Sequence, residues 1–292
     1  MLINNGVITA LVTPFKNDGE VDYSSFESLL DFQWQNGIKQ FVVNGTTAES
    51  PNLNRDEISK IVECVRGFNS ESKIILGTGS NSTKNTIEMT EWGRSLGVDA
   101  ALVVVPYYNK PPQKGLEAHF TEVANKVDLP IVMYNVPGRT VISMSAETAI
   151  NLSGVTNIIG TKEASGDIDL MKNIKSKVSP EWQIFSGDDD TCLDLCLAGG
   201  HGVISVVSHL IPKEISGLIA QAMDGDSESL EKYVKYKKLL ENIYIEPNPI
   251  PVKWALQKMG VIKTSKVRLP LIEMSDENSK RLLKTLEELK LI

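Results

Sequence analysis

Thiols and imidazoles are scarce in this chain, with three cysteines and three histidines among 292 residues. An odd, sparse cysteine count excludes a disulfide framework and fits reduced thiols in a cytoplasm. Cys192 and Cys196 lie four apart in "TCLDLCLAGG", on one face of an expected helix, where packing accounts for them. His119, His201 and His209 share no metal-ligand spacing and read as structural. "GDDD" at 187–190 reads as acids opening a helix, where they complement its dipole, so no metal site is expected. Surplus positive charge is missing as well. A net charge of −7 argues against nucleic acid, which is held by clustered Lys and Arg. No uncharged apolar run approaches the roughly 18 residues of a membrane helix, so no membrane association is expected. "MLINNGVITALVTPF" lacks a basic n-region and a cleavage site, so no signal peptide is expected. "GTGSNS" has neither the dinucleotide-binding spacing nor a Walker lysine. No low-complexity linker divides the chain.

What the chain does have is a repeated pattern. Short apolar runs start at Val7, Phe41, Lys73, Ala100, Pro130, Ile158, Gln183 and Gly202, separated by 19 to 34 residues. Each interval has room for one strand, one helix and two loops. Segments such as "DYSSFESLLDFQWQNG" carry helical apolar spacing and stop at glycine. Eight such units predict an α/β fold, a closed (β/α)8 TIM barrel over residues 1–210. Residues 211–292 read as an appended C-terminal helical region packed on the barrel.

In this architecture the site lies where the strands end. Those ends carry Thr46 and Thr47, Tyr107 and Tyr108, Tyr134, Lys162, Gly187, and Ile204 with Ser205, with Arg139 just after the fifth. Lys162, in "IIGTKEASGD", is the oddity, because a buried ammonium is costly unless paired or deprotonated. Alternation places Ile158, Gly160 and Lys162 on one face, with Gly160 leaving space beside the lysine. One reading is an ion pair with Glu163 or Asp188. The other is a neutral amine that attacks a ketone and forms a Schiff base. The surrounding rim of hydroxyls favours the second. Tyr134, one βα unit earlier, is placed to move protons while an imine forms. Thr46 is placed to connect Tyr134 to a further hydroxyl, and Thr47 to hold a carboxylate. Arg139 presents a planar fork suited to a carboxylate.

"GTTAES", "PYYNKPPQ", "MYNVPGRT", "GTKEASGD", "SGDDD", "GGHGVISV" and "IEPNPIPVKWAL" follow in order, nearly end to end. Together they resemble the 4-hydroxy-tetrahydrodipicolinate synthase (dihydrodipicolinate synthase) family of pyruvate-dependent class I aldolase-like lyases. The resemblance implies a cytoplasmic enzyme of lysine and diaminopimelate synthesis with no metal or organic cofactor. By residue, it implies that Lys162 forms the Schiff base with pyruvate and that the enamine attacks L-aspartate 4-semialdehyde. It makes Tyr134 the proton donor and acceptor, with Thr46 and Tyr108 completing a relay in which Tyr108 reaches across from a neighbouring subunit. Thr47 and the backbone at Ile204 would hold pyruvate near the Gly187 carbonyl, and Arg139 would take the semialdehyde carboxylate. The family is typically a homotetramer built from two tight dimers. Ser50 and Asn81 match the second, lysine-binding site of lysine-inhibited relatives, whereas Arg55 and Asn85 stand where those have His and Glu. Ala48 and Thr161 also depart from the usual pattern. Rival readings are N-acetylneuraminate lyase or a keto-sugar-acid aldolase on the same barrel, and a non-catalytic barrel that binds a small acid.

Overall fold

A computed structural model describes residues 3–292; Met1 and Leu2, the start of the stretch read for a leader, lie outside it. Eight parallel strands close in sequence order: β1 (Gly6–Ala10), β2 (Gln40–Val43), β3 (Lys73–Gly77), β4 (Ala100–Val104), β5 (Ile131–Asn135), β6 (Ile158–Glu163), β7 (Gln183–Ser186) and β8 (Gly202–Ser205). β8 returns to β1 in parallel register, Ile204 opposite Ile8. The strands read as nearly continuous apolar runs because both of their faces are buried. Ile8, Val42, Ile75, Leu102, Val132 and Phe185 fill the barrel interior. Phe41, Ile74, Val103, Met133 and Ile184 face outward into the layer shared with the helices.

Local chemistry sets the helices. Asn54 accepts a hydrogen bond from Glu57 N, and the Glu57 carboxylate accepts one from Asn54 N, a reciprocal cap for helix Arg55–Phe68. The same helix buries Ile58, Ile61, Val62 and Val65, one stripe at helical spacing. After β8, helix Pro212–Met223 packs on β1 and β8. Helices Ile250–Lys258 and Asp276–Glu288 add Val252, Leu256, Leu282 and Leu286 to the same continuous apolar cluster.

Strict alternation fails at one place that matters. Ile131 pairs with Ile158, but the next residue of β5, Val132, pairs with Gly160. One surplus residue, Ile159, therefore bulges from β6. Ile158 lies in the outer layer, and Ile159 packs into the interior instead. Ile158 and Lys162 thus do not share a face, contrary to the simple alternating reading. Gly160 does not make room for the lysine either. A Cβ there would meet the Gln183 carbonyl oxygen at 2.2 Å, so this glycine permits the approach of β7.

The histidines are built into this frame. His209 is fully buried; its Nε2 accepts from Val12 N at 3.1 Å, and its Nδ1 lies 2.9 Å from the Val206 carbonyl, to which it donates. Burial pushes its imidazole down to about 4, and burial does the same to His119. Above pH 6.5 both folded and unfolded chains hold these rings neutral. As pH falls from 6.5 towards 4 the unfolded chain takes up protons that the fold refuses, so stability drops. His209 alone accounts for roughly 3 kcal/mol across that window. Urea midpoints measured at pH 7, 5.5 and 4 are expected to fall steadily, and a flat series would contradict the neutral assignment.

Candidate active site

A cavity of about 440 Å³ opens at the C-terminal ends of the strands. Lys162, Tyr134, Thr46, Thr47, Arg139 and Gly187 all line it, as do Asp188, Tyr107, Tyr244 and Asn248. Lys162 is only 7% exposed. Its β5 neighbour in register is Tyr134, and its Nζ lies 4.3 Å from the centre of that ring.

The ion-pair reading of Lys162 meets a different arrangement. The Glu163 carboxylate points to the outer side of β6, where Asn135 Nδ2 donates to it at 2.9 and 3.1 Å and Ser165 N at 2.9 Å. Burial raises the Glu163 carboxyl. Asp188 faces the lysine across the cavity; burial raises its carboxyl too, and the nearby charge of Lys162 opposes the rise. Among the described residues, neither carboxylate forms an ion pair with Lys162. Thr161 lies on the outer face, where its hydroxyl donates to the Met133 carbonyl at 3.4 Å.

Gly187 is what admits the lysine side chain. A Cβ at that position would stand 2.6 Å from Ala164 Cβ and 2.9 Å from Lys162 Cε. Gly187→Ala is expected to displace the amine and slow any reaction at Lys162 by up to about a hundredfold, the cost of a 1 Å misplacement. Timed covalent trapping at Lys162 checks this; an unchanged rate would mean the lysine has slack.

The loop after β2 is a short 3-10 turn, Thr46–Ala48, flanked by Asn44 and Glu49 at φ +58° and +59°. Ala48 itself has no positive φ, so the methyl group is accommodated. Thr13 Oγ1 donates to the Ala48 carbonyl at 3.0 Å and fixes the turn from β1. From the far end of the chain, Lys253 Nζ pairs with Glu49 Oε1 at 2.9 Å with both groups fully buried, and Arg268 N donates to Glu49 Oε2 at 2.9 Å. Asn248 Nδ2 donates to Thr47 Oγ1 at 2.9 Å.

The other expected residues are distributed around this core. Ile204 is buried in the interior layer below the cavity, and Val206 forms the wall beside it. Arg139 sits exposed at the mouth, on the single turn Pro137–Thr140. Tyr108, at φ +74° and 89% exposed, does not line this chain's own cavity, whereas Tyr107, 41% exposed, does. Ser50 lines one edge of the cavity, and the Asn81 carbonyl nearby accepts from Asn109 Nδ2 at 2.7 Å.

The match to known proteins spans nearly the whole chain, with residues 4–289 fitting the Dihydrodipicolinate synthetase family. The chain belongs to this family. A Bdellovibrio bacteriovorus protein described as 4-hydroxy-tetrahydrodipicolinate synthase is 45% identical over 279 residues, 95% of each chain. Among solved structures, dihydrodipicolinate synthase from Thermotoga maritima superposes with a TM-score of 0.96 at 41% identity, covering 99% of each chain. The chloride-inhibited enzyme from Acinetobacter baumannii, complexed with pyruvate, has a TM-score of 0.96 at 39% identity, covering 99% of this chain and 100% of its own. The enzyme from Cyanidioschyzon merolae, solved with lysine bound, has a TM-score of 0.94 at 41% identity over 99% of both chains.

Within the family frame, three features escaped sequence reasoning. Asp189 does not cap a helix. Its Oδ2 accepts from Val206 N at 3.0 Å, Val207 N at 2.9 Å and Tyr244 Oη at 2.8 Å, clasping the ends of β7 and β8 to the C-terminal region. Glu49 and Lys253 form the second feature, and Asn248 the third. The signal available was the pair of motifs "GTTAES" and "IEPNPIPVKWAL". Nothing in either stretch says that they meet.

Proposed function

We propose that this lyase condenses pyruvate with L-aspartate 4-semialdehyde in lysine and diaminopimelate synthesis, through a Schiff base on Lys162. The observation that carries the reading is a lysine enclosed in the barrel mouth, without a carboxylate partner among the described residues, against a tyrosine in register. The amine adds to the keto carbon of pyruvate, and loss of water leaves the imine. Loss of a methyl proton gives the enamine, whose terminal carbon bonds to the aldehyde carbon. Tyr134 is the proton donor and acceptor in these steps. Thr47, with the backbone at Ile204 and the Gly187 carbonyl, receives pyruvate, and Arg139 receives the second carboxylate.

Thr46 and Tyr108 complete the proton relay, with Tyr108 acting in a neighbouring subunit's cavity. The exposure of Tyr108 in a single chain supports that placement. That placement requires self-association, and the family resemblance extends the proposal to a homotetramer, a dimer of dimers, and to a cytoplasmic enzyme with no cofactor. At the second site, Ser50 and Asn81 are the residues suited to lysine. Arg55, which lies over the Trp92 ring at 5.3 Å, and Asn85 replace the groups that would complete it.

The test is borohydride reduction with pyruvate, followed by mass mapping. A stable adduct on Lys162 is expected, and its absence would leave only a small-acid-binding barrel. Another pyruvate-dependent lyase on the same barrel would also trap pyruvate. Turnover with aspartate semialdehyde rather than N-acetylmannosamine separates the two, and Arg139 favours the short acidic aldehyde.

A further inference from the structure

We infer that Asn248 is a positioning residue that turns the Thr47 hydroxyl into a hydrogen-bond donor aimed at the substrate carboxylate. The inference rests on the reading of Thr47 as a pyruvate contact. A threonine hydroxyl carries one hydrogen and two lone pairs. Asn248 Nδ2 donates to Thr47 Oγ1 at 2.9 Å, which uses a lone pair and leaves the hydrogen free. Thr47 is buried apart from its share of the cavity wall, so the cavity is where that hydrogen is useful. A carboxylate offers acceptors only, and a hydroxyl already accepting from an amide is preset to donate to it.

The asparagine is itself held in place. It is 8% exposed and lies five residues before Lys253, whose buried pairing with Glu49 joins this segment to the loop that carries Thr47. Phe15 lies beside that joint, with Lys253 Nζ 4.2 Å from its ring centre and Arg268 Cζ 4.3 Å from it. Asn248 Oδ1 is buried without a hydrogen-bond partner among the described residues. The opposite amide orientation would leave the NH2 group unpartnered instead, and orphaned buried donors are rarer than under-satisfied carbonyls. Donation by Nδ2 is therefore the arrangement that the site supports.

The two substitutions Asn248→Ala and Asn248→Asp separate this role from simple packing. Alanine frees the Thr47 hydroxyl to rotate, and the KM for pyruvate is expected to rise about fivefold. Aspartate takes the hydroxyl's hydrogen for itself and sets a like charge near the substrate carboxylate, so a rise of about a hundredfold is expected. The KM for the aldehyde is expected to move less than twofold in both. In a Thr47→Val background, Asn248→Ala is expected to add no further rise, because the group that it orients is gone. Should aspartate behave like alanine, or the two effects simply add, the inference is overturned. Unmodified protein is run alongside in borohydride trapping. Failure to trap pyruvate there would count against the Schiff-base reading itself, whereas normal trapping with matched Ala and Asp variants would count against Asn248 alone.

Discussion

Lys162→Ala is expected to lower kcat/KM by on the order of 10⁴-fold or more and to remove borohydride-dependent labelling altogether, while the barrel stays folded. The size follows from the chemistry. Without the amine no covalent link holds the keto acid, and its methyl carbon is not activated as an enamine. The tyrosine and threonines then have nothing to exchange protons with. Stability should change little or improve, since the substitution deletes a largely buried amine that has no carboxylate partner among the described residues. Mass mapping of the labelled variant decides the outcome. Undiminished label at another residue would move the nucleophile elsewhere.

Arg139→Ala is expected to separate the two substrates. The arginine is at the mouth on a single turn after β5, and among the described residues no carboxylate pairs with it. Its fork is therefore free for a ligand. Two charge-assisted hydrogen bonds at a partly hydrated site are worth about 3 kcal/mol together, or roughly a hundredfold in kcat/KM for the semialdehyde. Trapping of pyruvate at Lys162 should stay within about twofold, because the imine forms deeper in the barrel. Steady-state kinetics with each substrate varied, beside timed trapping, checks both halves. Loss of trapping would place Arg139 on pyruvate instead.

The barrel was readable because parallel strands buried on two sides leave apolar runs, and because a charged residue inside such a run is conspicuous. Lys162 stood out for that reason, and Tyr134 followed from the repeat length. What stayed hidden depends on departures from periodicity or on distance along the chain. The surplus Ile159 in β6 changes which residues share a face, and the six residues of that strand give no sign of it. Glu163 looked like a partner for the lysine because it is adjacent, yet adjacent strand residues point to opposite sides. Its carboxylate belongs to Asn135 and Ser165. Asn248 and Thr47 are 201 positions apart, and only the folded chain brings them together. Asp189 looked like part of an acidic run that starts a helix, whereas burial makes it the acceptor for backbone groups just past the end of β8.

The surplus residue in β6 also bears on transplanting this chemistry. Counting by twos from the outward-facing Ile158, an unbulged strand would aim Lys162 at the surrounding helices. A designer who copies the lysine, its tyrosine and the glycine opposite onto another eight-stranded scaffold, but not the extra amino acid two places upstream of Gly160's neighbour Thr161, would graft a nucleophile that faces the wrong way.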